Sequence, residues 1–208
     1  MRLVDPSIEI MTKLDGEQVV KHIELAIRNC YKSEDKITDD SHKILIQKIL
    51  DSHHYSTIEH VSVTVRVVCS RACLAQWTRH RLMSYSVESQ RYCNYSRGKF
   101  NSELVFIIPR EYYNWDTKKV FLFNQALETS EKFYMDLVAT GMVAQDARNV
   151  LPNASKTEMV VTGNLRVWRD FLIKRTDKSA QDEIRYLANE VLREFKKEIP
   201  IIFDDIGV

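Results

Sequence analysis

Between Gln76 and Tyr92 the sequence reads QWTRHRLMSYSVESQRY, and within it stand Arg79, His80, Arg81, Ser84, Ser86, Ser89, Gln90 and Arg91. Guanidinium groups offer a planar fork of donors that matches phosphate oxygens, and serine hydroxyls with backbone N–H groups complete an anion nest. The chemistry these residues support is recognition of an anionic ligand. An arbitrary Arg-His-Arg at a helix end is most often a solvated charge run; the serines and the second arginine that follow set this one apart. If a helix runs through Arg81, three consecutive side chains fan across roughly 200°. Arg79, His80 and Arg81 then touch different parts of a large ligand, or two ligands meeting at one junction.

Other chemistries have less behind them. His53, His54, Glu59 and His60 are metal-ligand types, but Glu59 and His60 point to opposite faces if the segment is a strand, and no metal is expected. Ser89 has no adjacent base and no Gly-x-Ser-x-Gly turn to make it a nucleophile. Cys69 and Cys73 lack the second pair that a zinc site needs and read as packed small hydrophobes. His80, flanked by two arginines, reads as orienting a ligand rather than as a general base.

The elements that must position these residues follow from periodicity. Residues 2–11 are apolar enough for a first strand. Val20, Ile23, Ile27 and Tyr31 fall at helical spacing in 17–31, and 39–51 carries Ile44, Leu45, Ile49 and Leu50 on one side. From Glu59 to Ser70 the alternation of Val61, Val63, Val65, Val67 and Cys69 predicts a strand, with Ser70 capping a helix through RACLAQWTRHR. Further elements are a strand at 104–108, helices at 116–139 and 142–150, a strand at 157–162, and helices at 165–174 and 180–197. Strands set among many helices without βαβ alternation predict an α+β fold, a mainly antiparallel central sheet flanked by helices in a single compact unit.

At 208 residues, 44% hydrophobic and 28% charged, the chain suits one globular domain over 1–208. A formal net charge of +1 provides no global field for a polyanion, which argues against nucleic acid as a partner. No run approaches the ~20 apolar residues of a membrane span, and MRLVDPSIEI lacks the core of a secretory signal. With its four cysteines read as reduced thiols, a cytoplasmic location is expected. Neither G-x-G-x-x-G nor G-x4-G-K-[ST] occurs, so side chains must hold any nucleotide.

Arg79-His80-Arg81, seven residues, then Ser89 resembles the RHR-x7-S signature of the flavin-dependent thymidylate synthases, continued by Gln90-Arg91-Tyr92. His54, Ser56, Glu59 and His60 resemble that family's segment before the strand. Ala147 to Pro152 is similar to its A-R-x-x-L-P, Asn164 and Arg166 to its N-x-R, and Phe171 to Arg175 to its F-L-x-x-R. The resemblance implies reductive methylation of dUMP to dTMP, with methylene-tetrahydrofolate as carbon donor and NADPH as hydride source through FAD. It implies a homotetramer with active sites at subunit interfaces. Gln76, Arg79, Ser89, Gln90, Arg91, Arg148 and Arg175 correspond to dUMP ligands, and Ser56, Arg79, His80, Arg81, Asn164, Arg166 and Asp170 to FAD ligands. His54 corresponds to a position near the flavin where folate arrives. Arg175 is the implied catalytic group, pairing with the uracil edge.

Val87 stands where many relatives carry Glu, Asp170 where many carry Asn, and Ser179 where many carry His. An ionised Asp170 cannot donate to an acceptor on FAD. The alternatives are a non-catalytic nucleotide- or RNA-binding module using the same arginines, and an NADPH-oxidising flavoprotein that has lost methyl transfer.

Overall fold

The computed structural model describes residues 1–207. Strands β1 (Arg2–Val4) and β5 (Val105–Ile107) form a parallel pair in the register Arg2–Val105, Leu3–Phe106 and Val4–Ile107. An antiparallel sheet holds β2 (Ser7–Ile10), β3 (Ser62–Ser70), β4 (Ser84–Val87) and β6 (Lys156–Asn164) in the order β2-β3-β6-β4. The helices are α1 (Gly16–Tyr31), α2 (Ser41–Asp51), α3 (Arg71–Trp77), α4 (Thr117–Ala139), α5 (Ala144–Ala147), α6 (Leu165–Arg175), α7 (Asp182–Glu198) and α8 (Pro200–Phe203).

Side-chain caps set where the helices begin. Asp15 accepts from the Gln18 N–H at 3.1 Å, Ser70 from Cys73 at 3.1 Å, Asp116 from Lys119 at 2.9 Å and Asn164 from Val167 at 2.9 Å. Each satisfies one of the N–H groups that a helix start leaves without a backbone partner. After α4 the chain turns through Gly141, whose φ of 94° favours a residue without a Cβ.

The described chain divides into two units. The first comprises Met1–Ser7, Val67–Arg79 and Ser86–Met159. Its core gathers Tyr95, Leu104, Phe106, Leu127, Tyr134 and Ala147, with α4 supplying Leu127 and Tyr134. The second comprises Ile8–Arg66, His80–Tyr85 and Val160 onward. There α1 buries Val20, Ile23 and Ile27, and α7 buries Ile184, Leu187, Val191, Leu192 and Phe195. Trp168 of α6 donates its indole N–H to the Val63 carbonyl at 3.0 Å and meets Phe171 and Phe195 edge-on.

Several sequence expectations change. Asp5-Pro6 divides the expected first strand into β1 and β2, because proline cannot donate to a ladder. Residues 55–60 form a 3-10 turn, so β3 starts only at Ser62 and the two-face strand geometry does not apply to Glu59 and His60. On α2 the buried side is His42, Ile46, Ile49 and Leu50, while Ile44 is exposed. The largest difference is at α3. It stops at Trp77, where the Thr78 N–H still reaches the Leu74 carbonyl at 3.1 Å, and the chain then turns into β4. Arg79, His80 and Arg81 therefore lie on a turn and not along a helix.

Candidate active site

In the second unit the turn is fixed by hydrogen bonds at His80. The His80 carbonyl accepts from the Met83 N–H at 3.2 Å and from the Tyr85 hydroxyl at 3.0 Å. Its ring is half-buried, and Nε2 accepts the Nε–H of Arg175 at 2.9 Å. An arginine Nε–H only donates, so Nε2 carries no proton and the neutral ring keeps its hydrogen on Nδ1. Phe171 meets the imidazole edge-on, with ring centroids 4.9 Å apart. Phe171 and Arg175 are four residues apart on α6 and so share one face of it. That face meets the imidazole.

Electrostatics agree with this protonation. Burial lowers the His80 pKa from 6.5 to about 4, with the positive charges of Arg175 and Lys174 adding to the fall and Asp170 opposing it. Burial also raises the Tyr85 phenol to about 12, against the pull of Arg175. Both groups are neutral near pH 7, and Arg175 is the charged member of the cluster.

The start of α6 carries two of the remaining expected cofactor residues, Asn164 and Arg166. Asn164 spends its Oδ1 on the helix cap, and Arg166 pairs with Glu59 at 2.6 Å. Asp170, Arg81, His54 and Ser56 are exposed. The His54 N–H is held by the Ile49 carbonyl at 3.0 Å. In the first unit Arg79 and Arg91 are exposed, and Gln76, Ser89 and Arg148 are partly exposed. Ser89 Oγ accepts from the Arg91 N–H at 3.3 Å, the Arg91 guanidinium stacks on Tyr92 at 5.1 Å, and Arg148 Nε donates to the Gln145 carbonyl at 3.0 Å. The side chains of Arg79 and Arg81 have no hydrogen-bond or ion-pair partner among the described residues. Each is an exposed guanidinium of the kind that suits a phosphate oxygen pair.

Gln90 behaves differently from its neighbours. It is buried, and it lines a cavity of about 120 Å³ in the first unit together with Glu88, Tyr95, Lys99, Leu104 and Lys156. Its Nε2 has no hydrogen-bond partner there. Beside it, Glu88 accepts from Tyr95 at 2.8 Å and from Lys156 at 3.0 Å. The expected dUMP residues thus fall in the first unit except Arg175. The expected FAD residues fall in the second except Arg79.

Nothing in the spacing of the sequence singles out Tyr85, Phe171 as a partner of His80, or the buried Arg169. Position 171 was legible as i−4 from Arg175. Arg169 sits among Leu165, Trp168 and Leu172 on an apolar helix face, a signal that it must find a partner. The partner is Asp205, at 2.7 and 2.6 Å.

The model of the thymidylate synthase complementing protein family matches residues 12–201. A flavin-dependent thymidylate synthase of Geobacter sulfurreducens is 36% identical over 192 residues, covering 89% of this chain and 81% of that one. One from Mycolicibacterium gilvum is 32% identical over 221 residues, covering 98% and 85%. Among solved structures, the UMP/dUMP methylase PolB of Streptomyces cacaoi, bound with 5-Br dUMP, superimposes with a TM-score of 0.82 at 23% identity, covering 98% of this chain and 96% of that one. That last likeness concerns the fold. With the signature at Arg79–Ser89 and the matched span together, the chain belongs to the thymidylate synthase complementing protein family, that of the flavin-dependent thymidylate synthases.

Proposed function

We propose that this protein is a methyltransferase that converts dUMP to dTMP, with methylene-tetrahydrofolate as carbon donor, NADPH as hydride source and FAD as the resident cofactor. The single observation that carries the reading is Arg175, a guanidinium at the end of α6 whose Nε–H is fixed on His80. Uracil C5 becomes nucleophilic when negative charge can build on the ring. A fixed cation at the uracil edge stabilises that charge without a covalent enzyme adduct. Arg175 is the catalytic residue in this scheme.

Gln76, Arg79, Ser89, Gln90, Arg91 and Arg148 bind dUMP, with the arginines on its phosphate. FAD is held by Ser56, Arg79, His80, Arg81, Asn164, Arg166 and Asp170, with His54 nearby on the folate side. The flavin supplies hydride transfer, and the chain supplies position and field. Arg166 reaches a phosphate only by leaving or sharing Glu59. The whole chain acts as one domain, in a cytoplasmic homotetramer with shared active sites. Leu82 inside the signature and Tyr92 just beyond it are both exposed, which supports a covering partner.

Anaerobic turnover tests the reading. Purified protein with FAD, dUMP, methylene-tetrahydrofolate and NADPH is expected to yield dTMP. Oxidation of NADPH without dTMP would instead support the flavoprotein that has lost methyl transfer.

A further inference from the structure

We propose that His80 is the positioning residue for Arg175, and that the Tyr85 hydroxyl holds His80 in place for that task. The inference rests on the assignment of Arg175 as the group that activates the uracil. It adds a role for His80 distinct from cofactor binding.

Two contacts hold the imidazole and a third holds the main chain that carries it. Tyr85 donates to the main-chain carbonyl of His80 at 3.0 Å, Phe171 meets the ring at 4.9 Å, and Arg175 donates to Nε2 at 2.9 Å. A guanidinium on a flexible stem can roll about its long axis. A bond through Nε to an immobile acceptor removes that freedom, so the plane is oriented before substrate arrives. The acceptor must be an unprotonated nitrogen. The charged and titratable groups facing the imidazole are Arg175, Lys174 and Asp170 from α6 and Tyr85 from β4. The two cations and burial oppose a proton on the ring; Asp170 alone favours it. Once protonated, Nε2 donates instead of accepting, and it repels Arg175. Methyl transfer is therefore expected to carry an acid limb that flavin reduction by NADPH lacks.

The test compares His80→Leu, His80→Gln and Tyr85→Phe, each saturated with FAD as judged by flavin absorbance. Leu removes the acceptor, whereas Gln places a non-titrating carbonyl oxygen near the position of Nε2. His80→Leu is expected to lower kcat for dTMP roughly ten- to a hundredfold at saturating FAD, the loss of a hydrogen bond to a charged group. His80→Gln is expected to recover most of that loss and to lack the acid limb. Tyr85→Phe is expected to lower kcat more than it changes flavin occupancy. Wild-type kcat in His80→Leu, or an acid limb that persists in His80→Gln, would overturn the assignment.

Nitrogen-15 NMR of the histidines gives a readout without turnover. His80 is expected as the Nδ1–H tautomer with a midpoint near 4, moving toward its ordinary value in Arg175→Leu. An Nε2–H tautomer refutes the positioning role even if dTMP is formed. Correct tautomer and titration without any dTMP would place the failure in the proposed reaction instead.

Discussion

The helix that carries Arg175 is tied to the end of the chain by one ion pair, and cutting it makes a quantitative prediction. The Arg169 side chain is 5% exposed and grips Asp205, which is 59% exposed, through two hydrogen bonds of 2.7 and 2.6 Å. A further bond from Arg169 goes to the Ile202 carbonyl, and its guanidinium lies 5.5 Å from the Tyr55 ring centre. Removing one partner of a fully buried pair costs about 3–5 kcal/mol, because the other charge is left uncompensated. Asp205 is mostly in water, where screening reduces the Coulomb share, so Asp205→Ala is expected to cost about 1–3 kcal/mol. For a chain of this size that is a fall of about 2–12 °C in Tm, measured at fixed protein and FAD concentration. The double variant Arg169→Met/Asp205→Ala removes the buried charge and keeps much of the volume. It is expected to be more stable than Asp205→Ala alone, although it also loses the bond to Ile202. Hydrogen bonds from Arg169 hold the Asp205 carboxyl below its usual range. The stabilisation is thus full above the unfolded value of about 4 and is lost as pH falls through the lower folded value. A neutral Asp205→Ala, or a double variant less stable than the single one, would refute the view that an uncompensated buried charge sets the cost.

Three further outcomes follow from the same geometry. Arg175→Ala is expected to abolish dTMP formation while leaving flavin bound; full turnover by this variant would remove the catalytic assignment. Ser70→Ala deletes the α3 cap and is expected to cost about 1 kcal/mol in urea denaturation, with an unchanged m-value. Because His80 titrates near 4 when folded and near 6.5 when unfolded, acidification between those values favours the unfolded chain. At about 1.4 kcal/mol per pH unit the ceiling is about 3 kcal/mol, which half-exposure cuts to about 1–2. Thermal melts from pH 7 down to 4 should therefore show a smaller acid loss in His80→Gln than in wild type.

Much of the fold was legible because it rests on strong periodicities. Val63, Val65 and Val67 of β3 alternate with Ser62, Thr64 and Arg66, and Ser70, Asp116 and Asn164 all precede helical patterns that they do cap. The signature segment misled on local structure. Trp77 and the residues after it carry no proline or glycine, so sequence alone gives the helix no reason to stop. It stops because residues 84–87 join the sheet, and a short strand of Ser-Tyr-Ser-Val has too little apolar content to announce itself. Asp5-Pro6 was a visible break that apolar neighbours masked. At the site, residue types indicated an anion-binding surface, but the His80–Arg175 contact spans 95 positions and no spacing rule reaches that far. The family resemblance located both residues without linking them.

The cap of α6 separates what folding requires from what a ligand requires. Asn164 spends only its carbonyl oxygen on the Val167 N–H; its amide half has no part in that bond. Aspartate or serine starts a helix as well as asparagine does, so selection for a folded protein alone permits all three at this position. Only the flavin contact proposed for the amide donor distinguishes them. In a lineage released from using the cofactor, position 164 is free to drift within that capping set while the helix, and all that packs on it, persists. Its identity then reports on use of the proposed flavin contact separately from stability.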